Sequence, residues 1–166
     1  MTAAAAALAA GVAAEFRRRM RGEYLPRIGR CVEMLGDAGV WRRPAPNCNA
    51  VGNLLLHLCG NVTQWILVGL GGAPDHRDRP AEFAAQGGTP AAELMRMLTG
   101  VVDAACACVD RQTVDDLLAV RQIQQRYRES GLQAVLHVLE HFSGHAGQIY
   151  FWTKQVTGQD LKFYDL

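Results

Sequence analysis

Residues 132–155 read LQAVLHVLEHFSGHAGQIYFWTKQ, and the periodicity of that stretch decides the fold. Apolar side chains recur at three- and four-residue intervals, which predicts one long helix capped by Ser130 and ending near Thr157 and Gly158. Within it His137, His141 and His145 fall four residues apart. Positions i and i+4 of a helix project onto one face about 6 Å apart, the reach at which two imidazoles grip a single metal ion. Spacing alone leaves two pairs open, 137 with 141 and 141 with 145. A second apolar run, 51–70 VGNLLLHLCGNVTQWILVGL, carries His57 between Asn53 and Asn61, with Gln64 one turn further on. Each of these predicted helices bears a polar stripe through an otherwise apolar surface.

Working outward, a first amphipathic helix is expected from about Ala4 to Leu35, kinked or divided at Pro26 and ended by the stretch Gly36 to Gly39. A loop rich in Pro and Asn (Arg42 to Asn49) leads into the second helix, with Asn49 as its N-cap and Gly69, Gly71 and Gly72 at its end. The polar segment Ala73 to Phe83 is expected as a long non-helical crossover. Thr89 as N-cap, Pro90 at the first helical position and Glu93 in the first turn open a third helix that runs to about Asp110. Val114 to Arg128 is ambiguous, a short helix plus an extended stretch. Four long amphipathic helices without convincing alternating strands indicate an all-α fold, an antiparallel four-helix bundle forming one domain over 1–166.

The composition suits that fold. The chain has 166 residues, 49% of them hydrophobic and 20% charged, with a formal net charge of +1, which describes a globular domain able to bury a core without staples. Charge does not steer it to nucleic acid. The cluster Arg17, Arg18, Arg19 and Arg21 is diluted by Glu15 and Glu23 and reads as a solvated face. The five cysteines are an odd number without zinc-knuckle spacing, so they are expected as reduced thiols in a cytoplasmic protein. Cys59 and Cys106 read as core. Cys106 and Cys108, two apart on a helix, face different ways, and Cys48 beside a loop has the better claim to reactivity, though an inert thiol is expected there too. The Ala-rich opening lacks a basic region before its apolar stretch, so a helix is expected and not a secretory signal. Leu54 to Leu70 is interrupted by His57, Asn61 and Gln64, and no membrane span is predicted.

If the two striped helices face one another, one imidazole from the second and two from the fourth form a three-nitrogen site with room for a further ligand. Neutral imidazole suits zinc, nickel, iron and copper alike. A bound ion lowers the pKa of its water or favours the thiolate of a cosubstrate. Each histidine taken singly has a plainer reading, a core or interface side chain with one hydrogen bond.

Read together, NLLLHLCGNVTQWILVGLGG, the charged RDRPAEF after it and HVLEHFSGHAGQIYFWTKQVTGQDLKFYDL resemble the DinB-like (DinB/YfiT) superfamily, close to its DUF1572 branch. The likeness covers the chain from about Tyr24 onward. It implies a four-helix bundle whose metal is held by one histidine on the second helix and a His-x-x-x-His pair on the fourth, followed by Gly-Gln. Carried onto this sequence, the resemblance assigns His57, His141 and His145 as ligands of a divalent ion (zinc, nickel or iron). It leaves His137 one turn outside, as pocket wall or a group supporting the ligands, and Asn61 and Gln148 as polar neighbours of the site.

The function this implies is a metal-dependent enzyme acting on a small molecule, of thiol-dependent transferase or hydrolase type, with a low-molecular-weight thiol as a candidate partner. The alternative is a non-catalytic metal-binding or stress-response protein, and a third reading is a structural bundle with hydrogen-bonded histidines. Glu140 lies about 100° around the helix from His141, which argues against a direct role. Asp78 and Glu82 are candidates to close over the pocket, and Arg77 or Arg79 to bind a carboxylate, against the commoner role of solvated or salt-bridged surface charges. Trp65, Phe151 and Trp152 offer apolar surface for a homodimer.

Overall fold

The computed structural model describes residues 2–163; Met1 and residues 164–166 lie outside them. The chain opens as α1 (Ala3–Arg19), where the Thr2 hydroxyl oxygen accepts from the Ala5 N–H at 3.2 Å. One widened turn, Met20–Tyr24, in which the Leu25 N–H reaches back five residues to the Met20 carbonyl, joins it to α2 (Leu25–Val40). The widened turn sits just before Pro26, whose ring would clash with the carbonyl four residues upstream in an unbroken α-helix. The run passes the expected end at Leu35, because Gly36 breaks it at φ 62° without ending it and a further turn follows.

The next long run is α3 (Val51–Val62), prolonged by a second widened turn over Thr63–Val68. Its cap differs from the expected Asn49. Ala50 holds the cap position, and Asn53 reaches back to accept the Ala50 N–H at 3.0 Å. The crossover, expected as non-helical throughout, contains a short helix, α4 (Arg79–Ala84), capped by the Asp78 carboxylate on the Ala81 N–H. In α5 (Ala91–Asp110) the cap is Pro90 and not Thr89. Proline brings no side-chain acceptor, and Asp37 of α2 supplies it, taking the Ala91 N–H at 2.7 Å.

The ambiguous stretch resolves into α6 (Val114–Leu118) and an antiparallel pair, β1 (Val120–Ile123) with β2 (Tyr127–Ser130). The expectation of no strands is corrected here. Exposure alternates along β1, but its residues Val120, Arg121, Gln122 and Ile123 show no apolar alternation in sequence, and the turn places Gln124 and Gln125 at positive φ without the usual Asn or Gly. Ser130 then caps α7 (Gly131–Thr157) as expected, and Gly158 ends it in the left-handed region at φ 65°.

The molecule is mostly helical, with the long runs around one core and the two short helices and the hairpin at its margin. α2 and α3 each pack on both α5 and α7, and Phe16, Ile28, Leu55, Leu58, Leu98 and Phe142 are fully buried between the runs. Val51–Val68 is long and apolar enough to cross a membrane, yet 67% of it is buried inside the molecule, so packing accounts for its hydropathy. Arg18 and Arg19 bridge Glu15 and Glu23 across the first widened turn, and Arg17 and Arg21 pair with Asp110 and Asp103. The basic cluster is thus neutralised within the chain. All five cysteines are free, with Cys31, Cys59, Cys106 and Cys108 buried and Cys48 half-buried.

Candidate metal centre

α3 and α7 pack side by side and bring their polar stripes together. His57 is buried, 4% exposed, while His141 and His145 are half-buried on α7. Their ring centroids form a triangle with sides of 5.0, 5.0 and 4.5 Å, and each ring offers one nitrogen that lies within 4.8 Å of the other two. The Nε2 atoms of His57 and His141 face each other at 2.9 Å. Of the two pairs left open by spacing, 141 with 145 is the one whose nitrogens gather with that of His57.

Two of the three rings are oriented by hydrogen bonds at their Nδ1 atoms. His57 Nδ1 lies 2.9 Å from Glu82 Oε2 and 3.0 Å from Arg77 Nη2, so this pair orients the ring and turns Nε2 toward the other histidines. His145 Nδ1 lies 2.8 Å from Gln148 Oε1, which assigns its N–H to the amide and frees Nε2. His57 Nε2 and His141 Nε2 share an N–H···N contact at 2.9 Å, and together with a nitrogen of His145 they make a donor set that fits a nitrogen-loving divalent ion. Burial, aided by the nearby His145 and His57, pushes the His141 imidazole down to about 3, and burial also lowers His57 against the pull of Glu82. His57 and His141 are thereby held in the neutral form that ligates.

Glu82 is held as firmly as it holds. Arg77 grips it twice, Nε to Oε1 at 2.7 Å and Nη2 to Oε2 at 2.9 Å, with the side chains of both nearly buried. Arg77 Nη1 also donates to Gln64 Oε1, Gln64 Nε2 to Asp75 Oδ2, and the Arg77 backbone N–H to Asp75 Oδ1. The expectation that Arg77 binds a substrate carboxylate is corrected, since that guanidinium is already committed within the chain. Glu82, expected as a solvated or salt-bridged surface charge or a lid, is salt-bridged to Arg77 but buried, and it reaches His57 from α4. Asp78 is a helix cap, and Arg79 lies exposed over the Phe83 ring at 4.9 Å.

The crossover docks because α3 leaves a gap for it. A methyl group at Gly60 would stand 2.0 Å from Glu82 Oε1 and 2.7 Å from Arg77 Nε. Asn53 completes the docking by donating to the carbonyls of Glu82 and Ala85 at 2.9 and 2.8 Å. Gly60 has no side-chain chemistry of its own, so the gap it leaves beside Asn61 has no signature in the sequence.

His137 stands outside the triangle as expected. It stacks on Trp65 at 3.8 Å between centroids, and its Nε2 lies 3.4 Å from Asn61 Nδ2, while Asn61 Oδ1 is buried without a partner among the described residues. His137, Glu140, His141, Gly144, His145 and Gln148 line an open groove of about 380 Å³ on the outer side of α7. Glu140 is thus on the groove wall despite its angular offset. A smaller cavity of about 150 Å³ on the other side of His141 is edged by Asn61, Arg77, Gln124 and Tyr127.

Comparison with known proteins agrees with the fold. The family model described as "Protein of unknown function (DUF1572)" matches residues 12–165. A crystal structure of a DinB-like protein from Bacillus cereus ATCC 10987 is similar over 80% of this chain and 85% of its own, with a TM-score of 0.64 and 16% sequence identity. No curated protein matches significantly.

Proposed function

The chain belongs to the DUF1572 family and has a DinB-like fold, and we propose that it is a metal-dependent enzyme acting on a small molecule, with His57, His141 and His145 as the ligands of a zinc, nickel or iron ion. The observation that carries this reading is the convergence of three imidazole nitrogens within 4.8 Å, with two of the rings fixed by hydrogen bonds at their far nitrogens. A divalent ion in that setting supplies Lewis acidity and favours the anion of a water or a thiol at neutral pH. The protein's own part is preorganisation. Glu82, locked by Arg77, holds the His57 ring in orientation and raises its basicity as a ligand, and Gln148 does the orienting for His145.

The groove beside His141 and His145 gives a substrate access to the ligand edge, and Glu140 is the carboxylate among its lining residues. The reaction type that fits this arrangement is thiol-dependent transfer or hydrolysis, in the reducing cytoplasm that five free thiols suit. Cobalt substitution tests it. Adding low-molecular-weight thiols to the cobalt-loaded protein is expected to shift its visible bands and produce a thiolate charge-transfer absorption; an unchanged spectrum across several thiols would contradict the thiol-transfer form and leave hydrolysis.

A further inference from the structure

Beyond the groove lies a larger cavity of about 490 Å³, within the range of small-molecule sites. Its apolar lining comes from Val51 and Leu54 of α3 and from Phe151 and Trp152 of α7. Amides and one thiol complete the lining, and no lining side chain is an acid or a base of the ordinary charged kinds. Phe151 is 66% exposed, a large apolar ring left open to solvent at the mouth.

Two observations tie this cavity to the histidines. Gln148 lines both the cavity and the groove, and its Oε1 is the acceptor for His145 Nδ1. The rim formed by Asn47, Cys48 and Asn49 is anchored by Arg43, which donates to the Cys48 carbonyl at 3.3 Å and to the Phe83 carbonyl at 3.2 Å on α4, the helix that carries Glu82. One frame holds both.

We propose that this cavity is the specificity compartment of the site: it takes the neutral aromatic or branched-aliphatic body of a substrate whose polar reacting group extends past Gln148 to the histidine groove. A charged body is disfavoured because nothing in the lining compensates its desolvation. The inference rests on the metal-site reading for the direction of the reacting group, but the cavity's occupancy does not depend on it.

The test uses N-phenyl-1-naphthylamine, a neutral dye that fluoresces in apolar surroundings, titrated into the full chain with and without cobalt. Saturable binding of one dye per chain is expected in both forms, weakened at least tenfold by Phe151→Asp and by Gln155→Trp, which substitute exposed positions and leave cobalt uptake intact. His141→Ala is expected to lose cobalt and keep the dye. In the cobalt protein, benzyl mercaptan is expected to perturb the visible bands at a concentration at least tenfold below that of ethanethiol, an advantage lost in Gln155→Trp. Non-saturable dye binding, binding unaffected by both variants, equal action of the two thiols, or one dye shared by a sedimenting dimer would each overturn the proposal. Failure of the wild type to take up cobalt would instead remove the metal reading, with the dye titration still deciding the cavity.

Discussion

Whether a histidine is a switch or a ligand depends on what its two nitrogens touch. His57 has Glu82 and Arg77 on one and His141 on the other, and burial lowers its proton affinity. The sign of the pH effect follows. In the unfolded chain these rings regain the ordinary value of 6.5, whereas in the folded, metal-free protein His141 sits at about 3 and His57 and His137 are also lowered. Between those values the unfolded state binds more protons, so the metal-free protein loses stability as pH falls from 6.5 toward 3. Carboxylates such as Glu15, held down to about 2 by Arg18 and Arg19, begin to matter only lower in that range. Urea midpoints of the metal-free protein should therefore drop between about pH 7 and about pH 5, and less steeply in His141→Asn; equal slopes in the two proteins would contradict the burial of a neutral ring.

At the scale of elements, the decisive arrangement is α4 seated on α3 through the gap at Gly60. Gly60→Ala places a methyl group where the Glu82 carboxylate lies, so the carboxylate must leave His57. Both Gly60→Ala and Glu82→Gln are expected to lower metal affinity by roughly 10–100-fold while the helical circular dichroism is kept. Isothermal titration with zinc reads this directly, and wild-type affinity in both variants would contradict a supporting role for α4. The sequence showed the histidine stripes clearly because i, i+4 repetition is a local pattern. It did not show that Arg77 and Glu82 turn inward, since that depends on a missing side chain at Gly60 and on two backbone carbonyls taken by Asn53. Caps supplied from elsewhere are silent for the same reason: Asp37 on Ala91 is a contact 54 positions away.

For the whole molecule, the long helical runs were legible from apolar periodicity, whereas the hairpin was not, having one buried residue in β1 and a turn without glycine. The single core makes a further prediction. Leu98 is fully buried on α5, and Leu98→Ala should cost about 2–5 kcal/mol in one cooperative urea transition; two separated transitions would contradict one folding unit.

The central claim is that three imidazoles from α3 and α7 share one ion while a fourth stands aside. Metal content of untagged protein, measured by plasma mass spectrometry, tests it most directly. One divalent ion per chain is predicted for the wild type and for His137→Ala, with loss in His57→Ala, His141→Ala and His145→Ala. Negligible metal in the wild type, or full retention in the three ligand variants, would contradict it.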